Sequence, residues 1–183
     1  MIVIYRAVFY HLNGWAILIF EEDNNLNNRV YIENSVLTDV FNLAPNLRKE
    51  DVDEALAINL TPETALLQGY IFSKECYSVK YKKQVIGMFG LSTFNVPENQ
   101  ALIWFLGSDE CTNHPITFVK QGIKFTNKWL QEYDILLNVV DNRNKSHIEW
   151  LKSIGVTISN SIMINGHKFL QFYKIKGENK CVI

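Results

Sequence analysis

Cysteine is scarce and scattered in this 183-residue chain: Cys76, Cys111 and Cys181 form no CxxC pair, and an odd number cannot close a disulfide framework. The four histidines, His11, His114, His147 and His167, show no metal-ligand spacing, so no metal is expected. No charge sign dominates, with 18 basic and 19 acidic residues giving a net charge of -1, which removes a bulk electrostatic grip on nucleic acid. A serine hydrolase is not expected either, because Ser108 follows a glycine without a GxSxG elbow. What the chain has in quantity is apolar surface. At 48% hydrophobic and 20% charged it can bury a full core in one domain of ordinary size.

The longest apolar stretch, Met1 to Phe20, approaches the length of a membrane span, but Arg6, His11, Asn13 and Gly14 interrupt it and Glu21, Glu22 and Asp23 follow. Asn13-Gly14 between IVIYRAVFY and WAILIF is a hairpin signal, and the polar run EEDNNLNN then reads as a linker. Residues 1–20 are therefore expected to form a hairpin rather than a membrane contact. The expected organisation is an N-terminal extension over 1–28, one domain over 29–176, and a tail over 177–183.

Along the domain, RVYIE at 29–33 predicts a short strand, and Val36 to Leu43 a helix that stops before Pro45. Lys49 to Ile58 is amphipathic, and Thr61-Pro62 caps another helix running to about Phe72. Cys76 to Tyr81 and Val85 to Phe94 predict a hairpin. Ala101 to Leu106 is a continuous apolar run, so a strand covered on both faces, and Pro115 to Tyr133 is a long helix. Ile135 to Val140 is a second buried strand, and Asn144 to Ile154 a helix stopped by Gly155. Val156 to Ile164 and His167 to Ile175 flank Asn165-Gly166, another hairpin signal. The unit 101–140 predicts a right-handed parallel crossover in a sheet otherwise mostly antiparallel.

This order of elements resembles the GNAT fold of acyl-CoA N-acyltransferases. The residues carrying the resemblance are Asp141-Asn142-Arg143-Asn144, Ser146 and Trp150 to Val156, which look like that family's last strand–helix segment. A phage branch of GNAT-like proteins, the one including the internal virion protein A of T7-like podoviruses, is similar at Asn46 to Asp51 and Gly87 to Gly90. It is similar again at Phe105 to Glu110, His114-Pro115 and Asn138 to Asn144. The similarity spans roughly residues 29–164. It implies an α/β, GNAT-like mixed sheet flanked by helices, with a splayed pair of parallel strands.

The resemblance also implies acetyl-CoA as cofactor and an amine as acceptor. The cofactor would lie along Phe105, Leu106, Gly107 and Ser108, with phosphates near His114, Ile116 and Thr117, and Asn142 and Asn144 close by. A helix N-terminus offers unpaired N–H groups to such an anion. The loop departs from the family's pattern, since no second glycine follows Gly107, Asp109 and Glu110 add negative charge, and Pro115 has no N–H. Leu151 stands where the family often places a proton-donating tyrosine. The acid and base are left unassigned; Glu54 and Tyr133 are the candidates, with Asp51 and Glu33 as further available carboxylates and Tyr173 as a further tyrosine, although carboxylates on a helix surface are usually solvated. Two readings follow. One is an N-acetyltransferase; the other is a virion or morphogenesis protein, in the host cytoplasm or packaged with other virion proteins, that keeps the fold without catalysis.

Overall fold

The computed structural model describes residues 5–12, 15–22 and 29–177. Strands β1 (Tyr5–Leu12) and β2 (Trp15–Glu22) pair antiparallel with Leu12 opposite Trp15, as a hairpin requires. The Asn13-Gly14 turn itself lies outside the described residues. No helix among the described residues is long and apolar enough to cross a membrane.

The remaining elements are β3 (Tyr31–Asn34), α1 (Leu37–Leu43), α2 (Lys49–Ala57), α3 (Pro62–Phe72), β4 (Glu75–Tyr81), β5 (Gln84–Ser92) and β6 (Gln100–Gly107). They continue with α4 (Pro115–Trp129), β7 (Ile135–Asp141), α5 (Lys145–Ser153), β8 (Thr157–Ile164) and β9 (His167–Ile175). Local chemistry sets their ends. The Thr61 hydroxyl accepts from Thr64 N–H at 3.2 Å and Pro62 follows it, which starts α3. Lys82 and Lys83 (φ 50° and 65°) and Asn165 and Gly166 (φ 50° and 81°) make the two-residue turns of β4–β5 and β8–β9. Helix α4 stops at Trp129, four residues short of Tyr133, because Leu130 and Tyr133 turn inward to join the core.

Seven strands form one sheet in the order β3-β4-β5-β6-β7-β9-β8, and every pairing is antiparallel except β6 with β7. The central strand β6 is covered on both faces. Ile103 and Phe105 pack with residues of α4 and α5, whereas Trp104 and Leu106 pack with residues of α1 and α3. The parallel pairing is short. It joins Gln100, Ala101 and Leu102 to Ile135, Leu136 and Leu137, and beyond that the strands part. At the apex of the gap the Asn138 side-chain amide donates to the Ile103 carbonyl at 3.0 Å.

Candidate functional site

The gap between β6 and β7 contains most of the chemistry. Successive residues of a strand turn their backbone groups to opposite edges. Ser108 N–H donates to Ile86 O of β5 at 2.8 Å, so Ile103, Phe105 and Gly107 turn toward the gap. Ile103 O is held by Asn138. Gly107 is held twice: its N–H donates to Asp51 Oδ2 at 2.8 Å, and its carbonyl accepts from Arg48 N–H at 3.0 Å. The first turn of α2 thus pairs with the end of β6 much as another strand would. Phe105 is the gap-facing residue between these two holds, and among the described residues it has no ladder partner on β7.

Asp51 is fully buried and organises this junction. It lies 2.8 Å from the Arg48 guanidinium and accepts from the Asn144 side-chain amide at 3.0 Å. The Arg48 contact is an ion pair without hydrogen-bond alignment, since Nε and Nη2 are buried with no acceptor, and the guanidinium rests over the Phe105 ring. Asn144 also caps α5, its Oδ1 accepting from His147 N–H at 3.2 Å, and its amide reaches Glu54 Oε2 at 3.2 Å. One asparagine therefore ties α5 to two carboxylates of α2.

Beside this junction is a cavity of about 370 Å³, lined mainly by apolar side chains and including Glu54, Phe105, Leu106, Thr117, His147 and Trp150. Burial pushes the Glu54 carboxyl up to about 7, with the Asn144 hydrogen bond working against it and the Asp51 charge adding to it. Burial pushes His147 down to about 4, so at neutral pH its ring is uncharged. Carboxylates on α2 are expected to be solvated, yet Asp51 is buried and Glu54 partly so.

The loop after β6 is filled by its own groups. Residues Asp109–Asn113 form a 3-10 turn, in which Cys111 Sγ donates to Ile86 O at 2.9 Å and Thr112 Oγ1 to Asp109 O at 2.7 Å. His114 begins α4 without a side-chain cap; its ring instead meets Glu110 at 3.1 Å. The Phe118 N–H, one turn into α4, is spent on His114 O. Gly107 is required by packing, because a Cβ there would lie 2.7 Å from Phe105 Cζ and 2.8 Å from Cys111 Sγ. Gly107→Ala should destabilise the fold by about 1–3 kcal/mol through overpacking, read from the urea midpoint; an unchanged midpoint would show that the contacts relax freely.

Of the residues singled out in the sequence, Phe105, Leu106, Thr117 and Glu54 line the cavity, and Gly107 and Asn144 belong to the junction beside it. Ser108 is bonded back to Ile86, and Ile116 is 69% exposed. Asn142 accepts from Lys145 at the surface. The Tyr133 hydroxyl accepts from Lys74 at 3.0 Å and is not among the cavity-lining residues described. Leu151 is buried in the core. Arg48 and His147 were missed as site residues; Asp51 was named only as an available carboxylate, and its i, i+3 spacing from Arg48 was the one signal of their pairing.

This splayed parallel pair in a seven-stranded mixed sheet defines the fold of the GNAT acetyltransferases. A GNAT-family acetyltransferase from Bacillus anthracis superposes with TM-score 0.62 at 10% identity, covering 83% of this chain and 98% of that one. One from Streptococcus pneumoniae gives TM-score 0.54 at 10% identity, covering 81% and 100%. Aminoglycoside acetyltransferase AAC(6')-Ib in complex with coenzyme A gives TM-score 0.61 at 11% identity, covering 81% and 95%. In sequence, residues 84–162 match the family described as Bacteriophage T7, probable scaffold protein Gp13. No curated protein matches the chain.

Proposed function

We propose that the chain is a phage assembly protein, acting with virion proteins, in which the GNAT fold serves as a scaffold and acetyl transfer has been lost. The observation that carries this reading is the double hold on Gly107. An extended cofactor in the gap would need the backbone groups that Asp51 and Arg48 occupy. The self-bonded turn at 109–113, the Glu110–His114 contact at the start of α4 and the aliphatic Leu151 support it. So does the match over residues 84–162 to a scaffold-protein family; the narrower tie to internal virion protein A is part of the proposal. Removing the chain during infection should stop intact particles from forming, and supplying it in trans should restore them. Normal particle yield without it would refute the assembly role.

A second reading keeps catalysis. Glu54, poised near neutrality in the cavity, suits a base that takes a proton from an amine acceptor, and the free backbone of Phe105 could hold one amide of acetyl-CoA. In that reading Phe105 to Ser108, His114, Ile116, Thr117, Asn142 and Asn144 remain the cofactor-binding candidates. Opening the Gly107 contacts would have to precede binding.

A further inference from the structure

The cavity wall holds a buried polar ring that the fold leaves unused. His147 is 7% exposed and lines the cavity, yet no hydrogen bond to its ring is found among the described residues. Its contacts are aromatic: the ring centroid lies 5.6 Å from that of Trp150 and 6.1 Å from that of Phe105. Trp150 and Phe105 themselves stand 5.7 Å apart, completing a three-ring wall. In the same wall the Trp150 indole N–H is buried without an acceptor. Buried donors left without partners are rare, so two such groups in one wall mark it as unusual.

Charge narrows the occupant. No lysine or arginine lines the cavity among the described residues, and its one carboxyl, Glu54, sits near Asp51 and Asp141. A carboxylate would enter without a counter-charge and against these acids. A neutral oxygen can instead accept from an uncharged imidazole while the rest of the molecule fills apolar space. We propose that this cavity binds a small, uncharged, apolar molecule bearing one carbonyl oxygen, seated against Phe105 and Trp150 and hydrogen-bonded to His147. Such a ligand would stiffen the junction of α2, β6 and α5, since Glu54 and His147 are both tied to Asn144.

Acetophenone is the probe, and the indole N–H signals of the protein in a nitrogen–proton NMR spectrum are the readout. Trp104 and Trp129 donate to Ser73 and Glu75, so the Trp150 signal, assigned with Trp150→Phe, reports on the cavity. Acetophenone should shift it saturably with a millimolar or tighter Kd, and benzoate should bind at least about tenfold more weakly. His147→Phe keeps the ring packing and removes the donor, so acetophenone should bind it only as well as ethylbenzene binds the native chain. No saturable shift, benzoate bound as tightly, or undiminished acetophenone binding by His147→Phe would each overturn the proposal. Coenzyme A titrated alone in the same experiment reports separately on the cofactor question.

Discussion

Asp51→Ala should cost the fold about 3–5 kcal/mol, one of the largest single-residue effects expected in the chain. The loss has three parts with a common origin. Arg48 stays buried without the Asp51 counter-charge at 2.8 Å. The Gly107 N–H loses its acceptor at 2.8 Å, and one of the two carboxylates held by the Asn144 amide disappears. Each buried group left unmatched carries its own desolvation penalty, which is why removing one partner exceeds the worth of any single bond. Asp51→Asn should be milder, because an amide keeps one oxygen acceptor in the same place. Urea unfolding followed by circular dichroism measures both. A loss below about 1 kcal/mol for Asp51→Ala would mean that water replaces the carboxylate and that the α2–β6 junction is not a structural hold.

Glu54→Gln should change how stability depends on pH. The folded chain holds the Glu54 proton more tightly than the unfolded chain, about 7 against 4.5, because burial penalises the charged form. Its contribution to stability is therefore fully present below about pH 4.5, declines as pH rises, and is gone above about pH 7. The full span corresponds to about 3 kcal/mol. Glutamine does not titrate, so the variant should gain up to about 3 kcal/mol on the native chain between pH 4.5 and pH 8. Parallel stability profiles would show that water reaches Glu54 and that it ionises as an ordinary surface carboxylate.

The fold was legible because its signals are local. Thr61-Pro62 starts a helix, Asn165-Gly166 makes a turn and Ala101 to Leu106 is covered on both faces, each for reasons contained in a few residues. Where α4 ends was less legible, since its sequence pattern continues to Tyr133 and the turn at Leu130 is imposed by packing against β6 and β7. The site was harder still. Arg48, Asp51, Glu54, Gly107, Asn144 and His147 come from three separate segments, and what makes them a unit is burial across 93 residues of sequence between Asp51 and Asn144. Read locally, an acidic residue on an amphipathic helix faces water. Only the docking of α2 against the end of β6 turns Asp51 into an internal strut and Glu54 into a carboxyl poised near neutrality.

The departure of the β6–α4 loop from a phosphate-binding pattern was readable from Asp109, Glu110 and Pro115, but its replacement was not. The 3-10 turn depends on Cys111 and Ser108 sharing the Ile86 carbonyl of β5, a long-range contact that the loop's own residues do not announce.

The central claim is that the chain's own α2 occupies the edge of β6 that an extended acyl-CoA would need. Isothermal titration of the folded protein with acetyl-CoA and with coenzyme A tests it most directly. No binding heat is expected up to about millimolar ligand. Binding with a Kd of about micromolar would contradict it, showing that the Gly107 contacts open readily and that the gap still holds a cofactor.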